Sequence, residues 1–204
     1  NGLAGDRRWA FLQESLVRSG FPWMTIRECP NMWRYEPYFL DPDRPELSIT
    51  LVRTPSGDEL DVVDLSLAEE LGKGVRVLKQ SRGIFDTLPL SLISTRTVDA
   101  IAHLSGAPID VRRFRPNFLV EPIDDVDFIE DEWVGADLKI GAMTMRVDKR
   151  DKRCVIVNVD PDTTERDPSV LRMIAQERQA CLGVYGTTVG PGRVSVGDPV
   201  MIES

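Results

Sequence analysis

Apolar and polar residues alternate with a period of two in a series of short runs: "RRWAFLQ", "ELSITLVRT", "DELDVVDL", "GVRVLKQ", "LPLSLIS", "FRPNFLVEP", "DLKIG", "AMTMRV", "CVIVNVD" and "GRVSVGDPVMI". Such alternation puts successive side chains on opposite faces and predicts β-strands. The segments between them, "TPSGDE", "IGAM" and "VGPGR", are rich in Gly, Pro and Asp, as hairpin turns require. Two segments switch to a helical period. In "STRTVDAIAHLSG", Ser94 or Thr95 can cap, Val98, Ile101 and Ala102 form a stripe, and Gly106 stops the helix. In "RDPSVLRMIAQERQA", Asp167 suits the N-cap, Pro168 the first turn, and Val170, Leu171 and Ile174 the apolar stripe. The pattern predicts a β-rich α+β protein without internal repeats. A charged connection near "SRGIFDTLPLS" predicts a division into residues 1–82 and 83–204.

Carried into two of the predicted strands, the same alternation singles out candidate chemistry. In "CVIVNVD", Val155, Val157 and Val159 share the core face, which leaves Cys154, Ile156 and Asn158 on a mixed face. Cys154 is then either an inert space-filler or a reactive thiol. The preceding "VDKRDKR" places Lys149, Arg150, Lys152 and Arg153 near it, partly offset by Asp148 and Asp151. Those cations either favour a thiolate or form a solvated hairpin tip. In "FRPNFLVEP", Arg115 and Asn117 project together, ~6.6 Å apart along a strand. The pair suits a phosphate or the polar edge of a heterocycle, or is simply solvated.

The remaining constellations point to scaffold. His103, the one histidine, reads as a core or boundary residue of the first helix, and a single histidine supports neither a His-based metal cluster nor a Ser-His-Asp triad. "GVYGTTVGPG" lacks the strand-then-helix context of a dinucleotide fingerprint and reads as a hairpin. The acidic "EPIDDVDFIEDEW" reads as a solvated loop.

A net charge of −8 disfavours nucleic acid and anionic membrane as partners, and no run has the length of a membrane helix. Cys29, Cys154 and Cys181 are odd in number and lack C-x-x-C spacing, which argues against a disulfide framework, a zinc site or an iron–sulfur cluster. A reducing, cytoplasmic location is expected. Asn1 in place of an initiator methionine leads us to expect a further segment upstream.

Together, "GLAGDRRWAF", "FRPNFLVE", "EDEWVGADLKIG", "RCVIVNVDPDT" and "VSVGDPV" resemble the MOSC superfamily, named for the C-terminal domain of molybdenum cofactor sulfurases. The order and spacing are similar to the branch of the mitochondrial amidoxime-reducing component and its bacterial relatives. The resemblance spans nearly the whole chain. It implies a MOSC-N-like β domain over 1–82, where "MTIRECPNM" resembles the family's Thr-x-Arg-x-x-Pro segment, and a MOSC β-barrel with flanking helices over 83–204. It implies that Cys154 ligates molybdenum and is the catalytic residue. It implies that Arg7, Asp86, Thr87, Arg115, Asn117 and Tyr185 hold the molybdopterin cofactor. The implied activity is reduction of N-hydroxylated small molecules. With neither an iron–sulfur cluster nor a flavin in this chain, electrons would come from a separate ferredoxin- or flavoprotein-type reductase. At superfamily level only, pyridoxal phosphate binding is also implied.

Two departures stand against that pattern. Relatives usually carry a Val-Lys-Ser segment upstream of "GLAGDRRW" that anchors the cofactor, and this sequence starts after it. Relatives often have Cys-x-Arg-Cys where this chain has Asp151-Lys152-Arg153-Cys154. Two other readings stay open: a sulfur or cofactor carrier with a Cys154 persulfide, and a cofactor-free binding module.

Overall fold

The computed structural model describes residues 2–13, 21–80 and 83–203. The β-rich α+β class read from the pattern holds. The chain separates into two compact units, Ala4–Phe85 with Pro161–Glu165, and Asp86–Asp160 with Arg166–Ser204 and Asn1–Leu3.

In the N-terminal unit, β1 (Trp9–Leu12) pairs antiparallel with β5 (Arg76–Lys79). A second sheet has the order β2 (Glu36–Phe39), β3 (Thr50–Arg53), β4 (Glu59–Asp61). The period-two pattern anticipates four of these strands. It misses helix α1 (Leu65–Leu71), which begins inside the "DELDVVDL" run because the Asp64 carboxylate accepts from Ser66 N–H at 2.9 Å and caps it. Val52, Val62 and Leu67 form this unit's core.

The larger unit is a curled six-strand half-barrel in the order β11-β8-β9-β10-β6-β7. Its strands are β6 (Leu90–Ser94), β7 (Phe118–Val120), β8 (Asp137–Ile140), β9 (Met143–Lys152), β10 (Cys181–Gly190) and β11 (Val200–Glu203). All neighbours are antiparallel except β6 and β7, which run parallel and are joined through helix α2 (Thr95–Ser105). Leu90, Leu92, Leu138, Ile140, Met143, Met145, Val147 and Val184 fill one core cluster. Ile93, Leu182 and Val157 face the second, with Ile101 of α2 and Val170 and Ile174 of α3 (Pro168–Arg178). Strand β6 is buried along its whole length because it serves both clusters. The predicted caps are present: the Ser94 hydroxyl accepts from Thr97 N–H and Asp167 from Ser169 N–H, and Gly106 ends α2 at φ 71°. No helix among the described residues is long and apolar enough to cross a membrane.

Five expectations are corrected. Residues 155–158 are a 3-10 turn and not a strand: Val157 N–H donates to Cys154 C=O and Val159 N–H to Ile156 C=O. Its cause is tertiary. Asn158 supplies its side-chain oxygen to Leu171 N–H and its carbonyl to Asp167 N–H, so the segment serves α3 and not a neighbouring strand. Val157 and Val159 remain buried, but Val155 is 44% exposed. Arg115 is not on a strand either. It closes a 3-10 turn (Val111–Phe114) in the left-handed region at φ 50°, and β7 starts only at Phe118. The expected hairpin at 183–192 is largely strand β10: Gly183 and Gly186 mark tight approaches of backbone to backbone, not a turn. The acidic segment is a largely exposed loop through its first part, but its end folds into a 3-10 helix (Ile129–Trp133) that buries Glu130 completely. His103 is exposed, because the α2 face that packs is set by Thr97, Ala100 and Ile101.

Candidate functional site

Strand β9 carries the chain toward Cys154. Its inward residues, Met143, Met145 and Val147, are apolar, yet the last one is Asp151, 1% exposed. A buried carboxylate needs a partner, and Arg153 provides it: Arg153 Nη1 lies 2.8 Å from Asp151 Oδ2, with the arginine side chain 6% exposed. Arg153 Nε donates to Leu182 C=O at 2.7 Å, and Nη1 also donates to Phe114 C=O at 2.8 Å. The guanidinium lies over the Phe114 ring, 5.4 Å from its centre. Burial pulls this guanidinium below its ordinary value; Asp151, then Tyr185, Cys154 and Glu130, oppose the shift. Arginine retains its charge under such displacement. The basic stretch before the thiol is therefore not a solvated tip at Arg153, which is a buried cation.

Cys154 follows directly, a cysteine outside any disulfide, of intermediate exposure and on extended backbone (φ −123°, ψ −179°). Across the sheet, Tyr185 of β10 stands opposite Ser91 of β6. Ser91 is the hub that binds the "FRPN" segment. Its N–H donates to Asn117 Oδ1 at 2.9 Å, Asn117 N–H donates to Ser91 C=O at 2.9 Å, and its hydroxyl donates to Arg115 C=O at 3.4 Å. One acceptor of Asn117 is thus committed to the β6–β7 junction. Arg115 itself is exposed. Arg113 closes the far side, donating from Nη2 to Asp160 Oδ2 at 2.6 Å and holding the end of the 3-10 turn that starts at Cys154.

Of the residues singled out from sequence, Cys154, Arg115, Asn117 and Tyr185 are brought together through Arg153, Phe114 and Ser91. Asp86 and Thr87 are exposed in the bend ahead of β6. Arg7 lies in the N-terminal unit, with φ 50°, its Nε 3.6 Å from Asp6 and its guanidinium over Phe85. Ser91, Asp151 and Arg153 were not chosen as site residues from sequence. Ser91 gives no sequence signal, while the Asp-x-Arg spacing was visible without any hint of burial. An open depression lined by Asp99, His103 and Pro108 lies at the C-terminal end of α2 and contains none of these residues.

The donor chemistry fits a sulfur-ligated metal cofactor. Among the described residues no three His, Cys, Asp or Glu side chains converge as a metal site. A thiolate is a soft donor suited to such a centre.

The model of the MOSC domain matches residues 80–201. Mitochondrial amidoxime-reducing component 1 of Homo sapiens is 26% identical over 132 residues, covering 57% of this chain and 37% of that protein. Its counterpart in Xenopus laevis is 28% identical over 128 residues, covering 56% and 36%. The match therefore spans little more than a third of these relatives. Among solved structures, the YuaD protein of Bacillus subtilis aligns with a TM-score of 0.46 and 13% identity, over 95% of this chain and 83% of that one. YiiM of Geobacillus stearothermophilus aligns with a TM-score of 0.45 and 15% identity, over 57% and 55%. With more than half of its residues matched by that model, the chain belongs to the MOSC domain family.

Proposed function

We propose that this chain is a molybdenum-cofactor oxidoreductase that reduces N-hydroxylated small molecules with electrons from a separate reductase. The observation that carries the reading is a partly exposed thiol, Cys154, directly after a buried guanidinium that also binds the segment delivering Arg115. The distant relatives named for amidoxime reduction support the same reaction class. In the overall reaction the N–O bond breaks, two electrons and two protons are consumed, and the oxygen leaves as water. The cofactor, when bound, supplies the two-electron metal centre and its sulfur donors. Cys154 Sγ supplies the protein's ligand to that metal. The exposed Arg115 supplies positive charge for the cofactor's phosphate. Asn117, Tyr185, Asp86 and Thr87 complete the cradle. The protein's contribution is orientation and electrostatics.

The test is molybdenum per chain in protein made by a host that synthesises the cofactor, for wild type and Cys154→Ser. It is combined with reductase-coupled reduction of an aryl amidoxime. About one metal per wild-type chain, lost together with turnover in Cys154→Ser, supports the reading. Metal-free wild-type protein overturns it. If that protein carries thiol-labile sulfane sulfur on Cys154, the sulfur-carrier reading replaces it.

A further inference from the structure

Taking both members of an ion pair out of water is costly unless the geometry is good and the remaining donors are used. The Asp151–Arg153 pair meets that condition in part: Arg153 Nε and Nη1 are spent on two carbonyls, while Nη2 makes no hydrogen bond among the described residues. From one side chain, Arg153 reaches Asp151 at the end of β9, Leu182 at the start of β10 and Phe114 in the 3-10 turn. Its own N–H donates to Ala180 C=O at 2.7 Å, so backbone and side chain are both fixed. Phe114 directly precedes Arg115, and Arg153 directly precedes Cys154. Space is also reserved for the guanidinium. Gly183 sits at φ +71°, and a Cβ there would stand 3.2 Å from Arg153 Nη2 and 2.6 Å from Leu92 C=O.

We propose that Arg153, held by Asp151, is a positioning residue that presents Cys154 and Arg115 to the bound cofactor as one rigid set. This rests on the function proposed above. The fork geometry of arginine is required, since a lysine ammonium is a single point of charge and cannot span the Leu182 and Phe114 carbonyls while facing Asp151.

The experiment compares wild type, Arg153→Lys, and the double variant Asp151→Leu/Arg153→Met. The double variant leaves no unpaired buried charge and is expected to melt within about 5 °C of wild type. Two readouts follow. One is the iodoacetamide alkylation rate of Cys154 in cofactor-free protein, measured peptide by peptide with Cys29 of the other unit as internal control. The other is molybdenum per chain from the cofactor-producing host. Positioning predicts that both variants change the Cys154 rate several-fold while Cys29 is unmoved. It also predicts that retained molybdenum falls about ten-fold, the usual scale for loss of support around a ligand. A folded double variant with wild-type Cys154 rate and metal content overturns the proposal, as does Arg153→Lys restoring both. Should the double variant fail to fold, Arg153→Lys decides by the same readouts. Wild-type protein without molybdenum ends the cofactor reading, and the alkylation rates then decide the positioning role alone.

Discussion

Glu130 is the most informative residue to perturb outside the site. Its carboxylate is completely buried and accepts from Ser94 N–H at 3.2 Å, the Ser94 hydroxyl at 2.8 Å and the Thr97 hydroxyl at 2.8 Å. Ser94 is at once the last residue of β6 and the N-cap of α2, so the carboxylate fixes a strand end, a helix start and the positive end of the helix dipole. Glu130→Ala strands three buried donors. At about 1–3 kcal/mol for each uncompensated donor, and with the hydroxyls able to rotate toward other acceptors, the loss is about 4 kcal/mol. Glu130→Gln keeps the volume and an acceptor and loses the charge, for about 2 kcal/mol. Urea unfolding at pH 7 followed by far-UV circular dichroism measures both, and the Ala variant should melt about 10 °C lower. A cycle with Ser94→Ala adds a second check. Because the two residues share hydrogen bonds, the double variant should lose less than the sum of the singles by about 1 kcal/mol or more. A Glu130→Ala cost under about 1 kcal/mol, or strict additivity with Ser94→Ala, would refute this account of how α2 is anchored.

Two further outcomes are expected. Asp167→Ala removes the N-cap of α3 and should cost about 1 kcal/mol at pH 7. The Ser169 hydrogen bonds hold the Asp167 carboxyl below its usual value when folded, so the ionised form stabilises the fold. The gap between wild type and variant should therefore be full above the unfolded value of about 4, and close as pH falls through the lower folded one, as read by urea midpoints across acid pH. Gly183→Ala forces a Cβ into the left-handed region against Leu92 C=O and should cost about 2 kcal/mol or more by thermal melting.

Helices α2 and α3 were legible because their signals are local, whereas α1 was hidden at the end of an apolar run. Ser94, Asp167, Pro168 and Gly106 lie within a turn of the ends they specify, and all four occupy the expected places. Strands were legible as apolar alternation, but their limits were not. In "CVIVNVD" the β-branched run looks extended, and only contacts from Asn158 to α3 turn it into a 3-10 segment. Glycines misled in β10, since close backbone approach and turn formation draw on the same missing side chain. The candidate site divided along the same line. Cys154 and the "FRPN" pair stood out by residue type and resemblance. The groups that join them were hidden, because Asp151 and Arg153 look like surface charges until both are found buried. Glu130 was hidden in the same way, as one acid among many.

The pairing of Ser91 with Tyr185 also has a kinetic meaning. The Asn117–Ser91 bonds and the Arg153–Phe114 bond each close moderate loops, of 26 and 39 residues in sequence separation. Joining β6 to β10 instead links the first strand of the unit to one near its end, and each doubling of loop length adds only about 0.6 kcal/mol of closure entropy. That long-range pairing sets Tyr185 against Ser91 and the "FRPN" segment bound to it, and complements the Arg153–Phe114 bond, which joins the Cys154 and Arg115 segments. On the function proposed above, a cofactor held by both halves would need the sheet to be complete before it could be loaded.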